Sequence, residues 1–295
     1  MESLFLQELE ETAIDRIKRF ANLAQSMNLP IEVGFSGGKD SQVVWHLVKR
    51  AGIEASAYYN ICFESPLTRK FINEAYPEVI WRQYVKQGFF RNAVVNHSCM
   101  LPTAQRAYCC QDYKHNPHFA VNASITGVRR EESAKRRSRQ VLSYKNKTQR
   151  KKNNFDDYFS SSCMSDGSTS PITLNPIVDW TETEVWKYIK DNNLPINPEY
   201  AKTNRVGCMI CPKCRFLSNY IMLYQYPKLI DCAILVRLAN PNCDWFISLD
   251  NMDYSNDKVY YTCRWLNHSF QPFSSKELQL FHLLRARYES VSNKF

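Results

Sequence analysis

The chain has 295 residues, 44% of them hydrophobic and 13% aromatic, with only eight glycines; this excludes a disordered or fibrous protein and suits one large α/β domain plus a smaller appendage. A formal net charge of +9 favours polyanionic partners, although net charge speaks to association rather than to chemistry. Eleven cysteines follow an acidic start, Met1 to Glu11, that lacks the basic head and apolar run of a secretory leader, so a cytoplasmic protein with reduced thiols is expected, and metal ligation is a better reading than a disulfide framework. The most apolar run, Leu229 to Leu238, is too short for a membrane span and is broken by Asp231 and Arg237.

Apolar residues at helical spacing from Leu9 to Ala24 predict an opening helix over residues 8–28, stopped by Pro30. Ile31 to Phe35 reads as a strand, and the glycine-bearing turn after it leads into an apolar helix from Gln42 to Val48. A strand at Ala55 to Cys62, a helix at Pro66 to Ala75 and a strand at Val79 to Tyr84 continue the alternation, which predicts an α/β fold with a doubly wound parallel sheet. Thr103 to Lys114 reads as a helix, and Val121 to Thr126 as a buried strand ending at Gly127, whose carboxyl end should face a ligand crevice. Residues 139–170 are polar and rich in Ser and Asn, and are expected to be a mobile insertion. Thr181 and Glu184 form a capping box ahead of a helix from Val185 to Asn192, and a helical region is expected over 216–295.

Ser36-Gly37-Gly38-Lys39-Asp40-Ser41 stands between the first strand and its helix. Glycines there let backbone amides approach a phosphate, the helix N-terminus adds partial positive charge, and Lys39 adds a full one. It is not a Walker A loop, because Val33 and Asp40 stand where that motif needs glycine and a hydroxyl residue. Asp40 suits Mg²⁺, which prefers a carboxylate or two together with phosphate oxygens. After Gly127, the guanidinium forks of Arg129, Arg130 and Arg136 can hold phosphate or sulfate bidentately, with Glu132 fixing one of them. The basic run from Arg129 to Lys152, with Tyr144, Phe155 and Tyr158 to stack bases, reads equally as a grip on nucleic acid or as a solvated lid.

Cys109-Cys110, Cys208-Met209-Ile210-Cys211 and Cys214 stand apart from the scattered Cys62, Cys99, Cys163, Cys232, Cys243 and Cys263. Four such cysteines suit zinc or an iron-sulfur cluster, and spacing alone does not separate the two.

Taken together, the loop Ser36 to Ser41, Glu64-Ser65-Pro66-Leu67-Thr68, Gly127-Val128-Arg129-Arg130-Glu131-Glu132-Ser133 with Arg136, and Asn175-Pro176-Ile177-Val178-Asp179-Trp180 with Glu184-Val185-Trp186 resemble the PP-loop ATP pyrophosphatases (adenine nucleotide α-hydrolases) in their phosphoadenosine phosphosulfate (PAPS) reductase-like branch. The resemblance implies an N-terminal helix over 1–29, a nucleotide-binding domain over 30–215 and the helical region after it. It implies ATP held with Mg²⁺ by Ser36, Gly37, Gly38, Lys39, Asp40, Ser41, Gly127, Arg129, Arg130, Glu132 and Arg136, with Lys39, Asp40 and Arg129 catalytic. The tandem cysteines followed by Cys-x-x-Cys are similar to the [4Fe-4S] site of assimilatory adenylyl-sulfate reductases, which assigns Cys109, Cys110, Cys208 and Cys211 as ligands, Cys214 as the rival fourth and Lys114 as the basic neighbour. Reductases of that branch also carry a Glu-Cys-Gly-x-His segment near the C-terminus, whereas the last cysteine here is Cys263 and the loop is intact. Both departures turn the expectation toward ATP: cleavage to AMP and pyrophosphate, adenylation of an acceptor and sulfur transfer, with a sulfur-donor protein or a nucleic acid as partner. A sulfonucleotide reductase and a non-catalytic nucleotide-sensing or nucleic-acid-binding subunit are the alternatives.

Overall fold

The computed structural model describes residues 2–114, 123–144, 172–214, 216–239, 257–267 and 274–292. The chain divides into two compact units: the first takes Met1–Asn60, Pro66–Arg82 and Pro117–Tyr200, the second Ile61–Ser65, Gln83–Asn116 and Ala201–Phe295. This division cuts across the linear one, because the second unit draws segments from between strands of the first.

In the first unit, among the described residues, a sheet of six strands has the order β3-β2-β1-β4-β6-β5. Its strands are β1 (Ile31–Gly34), β2 (Ser56–Asn60), β3 (Ile80–Arg82), β4 (Ala123–Ile125), β5 (Leu142–Tyr144) and β6 (Ile172–Leu174). All pairings are parallel except β5 with β6, and Val33 of β1 lies between Ala57 of β2 and Ile125 of β4. The central strands bury every second side chain, with Val33, Ala57, Ala123, Ile125, Ile172 and Leu174 at 1% exposure or less and their neighbours partly covered.

The helix α1 (Glu2–Ser26) buries Ala13, Ile17, Phe20, Leu23 and Ala24, a stripe at the 3–4 residue spacing of one helix face, and contacts α2 (Lys39–Arg50). α2 buries Val43, Val44, Leu47 and Val48. α3 (Pro66–Ala75) follows β2 in sequence, and α6 (Glu182–Asp191) packs on α2. The capping box of α6 is formed: Thr181 accepts from the Glu184 amide and the Glu184 carboxylate accepts from the Thr181 amide at 2.6 Å. Two segments differ from expectation, the first being Thr103 to Ala107, which are not helical, so that the helix expected there starts at Tyr108. Residues 142–144 lie inside the stretch expected to be mobile, yet they form β5, because Leu142 is buried and the strand pairs with β6. Residues 145–170 of that stretch lie outside the described residues.

β1, β2 and β3 run to one side of the sheet and β4 and β6 to the other, so the winding reverses between β1 and β4. An open parallel sheet places its ligand crevice beyond the carboxyl ends of the strands at such a switch point. The segments that leave those two ends are Ser36–Ser41 and Gly127–Arg136.

The second unit is helical among its described residues: α4 (Phe89–Asn96), α5 (Tyr108–Lys114), α7 (Phe216–Gln225), α8 (Lys228–Leu238), α9 (Lys258–Asn267) and α10 (Ser275–Ser292). Its core gathers Leu223, Ile230, Ala233, Val259, Cys263, Trp265, Phe281 and Leu284, and the Trp265 indole donates to the Pro102 carbonyl at 2.8 Å. No described helix is long and apolar enough to cross a membrane.

Candidate functional site

The loop after β1 is held open by its own hydroxyls. Ser41 Oγ accepts from the Ser36 amide at 3.1 Å and donates to the Gly38 carbonyl at 2.8 Å. Gly37 has φ +71°, in the left-handed region, and a Cβ there would meet the Ile72 side chain at 3.0 Å, so glycine is required twice over. The Gly37 carbonyl accepts from Gln42 at 3.2 Å and from the buried Asn197 at 3.0 Å. Gly38 caps α2 in an extended conformation without a side-chain cap bond, so the first amides of the helix face the loop. The Lys39 amide donates to the Tyr200 hydroxyl at 2.9 Å, and burial pushes that hydroxyl up to about 12, keeping it neutral.

The ionic part of the site centres on Asp40. Its Oδ1 accepts from Arg129 Nε at 2.5 Å and its Oδ2 lies 3.3 Å from Lys39 Nζ, which is also 3.5 Å from Glu182. Arg129 is only 2% exposed, and its Nη1 bonds Glu131 at 3.1 Å and the Trp180 carbonyl at 3.2 Å. Gly127 makes this convergence possible, since a Cβ there would stand 2.8 Å from the carbonyl carbon of Asp40 and 2.9 Å from its oxygen. Any side chain would drive the end of β4 off the start of α2.

The remaining anion-binding candidates are braced by carboxylates. Arg130 pairs with Asp179 and donates to the Arg139 carbonyl at 2.8 Å, while Arg136 pairs with Glu132. Glu132 also accepts from the Arg129 amide at 2.9 Å, closing a capping box on the short turn Arg130–Glu132. Arg130 and Arg136 thus shape the loop, and Lys39, itself paired with Asp40 and Glu182, stands at the start of α2. Lys135, Arg137 and Arg139 are exposed, and the basic run beyond residue 144, with Phe155 and Tyr158, lies outside the described residues.

In the second unit, Cys109, Cys110, Cys208, Cys211 and Cys214 come together, joined by Cys62. Cys62 Sγ and Cys208 Sγ are 3.6 Å apart. The thiols interact in three hydrogen-bonded pairs, Cys62 with Cys208, Cys109 with Cys110 and Cys211 with Cys214. The bond from Cys62 lowers Cys208 to about 6 against burial, with Lys114 helping; the bond from Cys109 does the same for Cys110, helped by Lys213, and that from Cys214 for Cys211, helped by Arg205. Cys62, Cys109 and Cys214 are pushed up by the same bonds and by burial. The thiolate of Cys208, first among its neighbours, raises Lys114 in turn.

Among the described residues, no three His, Cys, Asp or Glu side chains converge on one ion position. A tetrahedral zinc site would draw its thiolates to within about 3.8 Å of one another, so the arrangement does not fit a single zinc as placed. By donor chemistry alone, soft thiols with the Lys114 cation beside them fit a polynuclear iron-sulfur group.

The sequence reading missed Tyr200, Glu182, Glu131 and Asn197, which reach the loop from elsewhere in the chain, and it set Cys62 among the scattered cysteines. A signal for Cys62 was present: it is the last residue of a predicted strand and stands two residues before Glu64 of a recognised motif.

Residues 30–214 match the family model of the phosphoadenosine phosphosulfate reductase domain. The chain is similar to an uncharacterized protein of Methanocaldococcus jannaschii, 24% identical over 273 residues that cover 86% of this chain and 56% of that protein. It is similar to an adenosine 5'-phosphosulfate reductase of Lysinibacillus sphaericus, 33% identical over 116 residues, 38% of this chain and 41% of that one. It is also similar to sulfate adenylyltransferase subunit 2 of Pseudoalteromonas translucida, 23% identical over 222 residues, 68% of this chain and 70% of that one. The chain thus spans about half the length of the first two relatives.

Proposed function

The chain belongs to the phosphoadenosine phosphosulfate reductase domain family, and on that premise we propose that it binds ATP with Mg²⁺ at Ser36–Ser41 and cleaves it between the α and β phosphates. An acceptor oxygen attacks the α phosphorus, the bond to the bridging oxygen breaks, and pyrophosphate leaves. The adenylated acceptor then serves sulfur transfer. The observation that carries this reading is the complete loop at the winding reversal, with Lys39 and the first amides of α2 on one side and Arg129 locked on Asp40. Catalysis of this kind is positioning and charge neutralisation by fixed groups, which is what a buried Arg129 and a glycine-built loop supply. The relative named sulfate adenylyltransferase subunit 2, aligned over two thirds of this chain, supports adenylyl transfer. Because Asp40 already pairs with both cations, Mg²⁺ would be held chiefly by phosphate oxygens, with Asp40 as its protein anchor.

The thiol cluster is the second part of the proposal. Cys110, Cys208 and Cys211, the three low-titrating thiols, are three ligands of a [4Fe-4S] cluster, and Cys109 is the fourth, with Cys214 as its rival. When bound, such a cluster supplies a soft centre able to hold sulfur or pass electrons. The chain's own residues hold it in place: Lys114 sets positive charge beside Cys208, and the Cys211–Cys214 turn is closed by an amide bond of 2.9 Å. The acceptor or the sulfur donor is a second macromolecule in this reading; for a nucleic acid, the exposed Lys135, Arg137 and Arg139 are the described basic side chains that can meet its backbone.

Sulfonucleotide reduction is the second reading, favoured by the segment 33% identical to an adenosine 5'-phosphosulfate reductase. It needs a reactive thiol, and Cys263, the last cysteine of the sequence, is 0% exposed with its thiol pushed up by burial. One experiment separates the readings: anaerobically purified protein is given ATP, Mg²⁺ and candidate acceptors in one arm, and a sulfonucleotide with thioredoxin in the other. Pyrophosphate from the first arm supports adenylation. Sulfite from the second with none from the first would reverse the ranking, and nucleotide binding without turnover in either would favour a sensing subunit.

A further inference from the structure

We propose that Cys62 and Cys208 are a dithiol pair that closes a disulfide by exchange with a low-molecular-weight disulfide, and that closing it takes Cys208 out of the metal-binding set. Only the consequence for metal rests on the cluster reading above; the pair itself rests on geometry. The two sulfurs are 3.6 Å apart, and a bond of about 2.05 Å requires only a small side-chain movement. Their neighbourhood is imposed by the backbone, since Glu64 and Cys208 form an antiparallel bridge and the Met209 amide donates to the Phe63 carbonyl at 2.7 Å. The Cys62 amide is tied to the Glu64 carboxylate at 2.6 Å, and the Phe63 ring stacks on Phe89 at 4.7 Å, which anchors this short segment in the core of the second unit.

The other thiol pairs are built differently. Cys109 and Cys110 are adjacent, so their Cα atoms are about 3.8 Å apart across a trans peptide, below the usual disulfide range that begins near 4.4 Å. Cys211 and Cys214 sit in a turn next to Arg205 and form the natural competitor. As residues, Cys62 and Cys208 are half-buried, and the reach of a small disulfide to their sulfurs is part of what the cross-linking test reads.

The step balances as ordinary thiol–disulfide exchange. One thiolate of the pair attacks a sulfur of the small disulfide, which breaks and releases one small thiolate while a mixed disulfide forms. The partner thiol loses its proton and attacks the protein sulfur, and the second small thiolate leaves. Two protein thiols are oxidised and one small disulfide is reduced, a two-electron exchange that a dithiol reverses.

The test uses the full chain, reduced, stripped of metal with a chelator and exposed to oxidised glutathione, then blocked with N-ethylmaleimide and digested without reduction for mass spectrometry. The expected product joins the Cys62 and Cys208 peptides, and Cys62→Ser leaves Cys208 carrying glutathione instead. Alkylated Cys62 and Cys208 beside a joined Cys211–Cys214 peptide would overturn the proposal, and this wild-type result needs no variant to fold. Iron uptake is measured in parallel: it should be lost after oxidation and restored by dithiothreitol. A cross-link in a chain that never binds iron sinks the cluster reading and leaves the dithiol standing; iron binding unaffected by oxidation, with no cross-link, does the reverse.

Discussion

The two chemical centres of this chain, one in each unit, handle charge in opposite ways. Around Asp40, each carboxylate meets a fixed cation: Arg129 bridges Asp40 and Glu131, and Lys39 bridges Asp40 and Glu182. Around Cys208, like groups hydrogen-bond to one another, and Lys114 is left to balance the thiolates. On the proposed reading, the first, ion-paired centre serves an oxyanion and the second, thiol-lined one a metal or a redox partner. The first is built from glycines and a buried guanidinium, the second from hydrogen-bonded thiol pairs.

The sharpest way to break the comparison is Arg129→Ala. Removing a 2% exposed guanidinium leaves Asp40 with Lys39 as its one remaining cation and takes the cation from Glu131, which should cost about 3 kcal/mol of stability and lower the urea midpoint accordingly. A variant as stable as the parent would show that the ionic frame is not structural. Gly127→Ala comes next, because its methyl group would press on the Asp40 carbonyl at 2.8–2.9 Å; a loss of about 1–3 kcal/mol with weakened nucleotide binding is expected from calorimetry and titration.

Lys39→Ala is a different kind of perturbation, since it removes charge from the phosphate place without opening the core. ATP affinity should fall roughly ten- to hundredfold while the melting temperature barely moves, and unchanged affinity would take the loop out of phosphate binding. The smallest effect belongs to Glu182→Gln. Its carboxylate is 59% exposed and competes with phosphate for Lys39 at 3.5 Å, so ATP binding should tighten by no more than about fivefold, within the range of an exposed pair. Weaker binding instead would mean that Glu182 holds Mg²⁺ or the ligand itself.

What could be read from the sequence followed the reach of local rules. The alternation of β1, α2, β2, α3 and β3 and the capping box Thr181–Glu184 depend on residues a few positions apart, and each was legible; the need for glycine at Gly127 comes from Asp40, far back in the chain, and was not. The Tyr200 hydroxyl accepts from the Lys39 amide across 161 residues, and no periodicity marks it. Cys62 lies 146 residues from Cys208, so its pairing is a property of the fold. β5 was hidden for another reason: Leu142 is the one strongly apolar residue of a short strand in a polar stretch, and pairing with β6 supplies the stability that composition does not show.

The central claim, that this loop directs cleavage between the α and β phosphates, is tested most directly by running the reaction with ATP labelled at the α phosphate and, separately, at the γ phosphate. The account predicts that the α label appears in AMP or an adenylated acceptor and the γ label in pyrophosphate, with both lost in Lys39→Ala. Label from the γ position in free orthophosphate, with the α label in ADP, would contradict it.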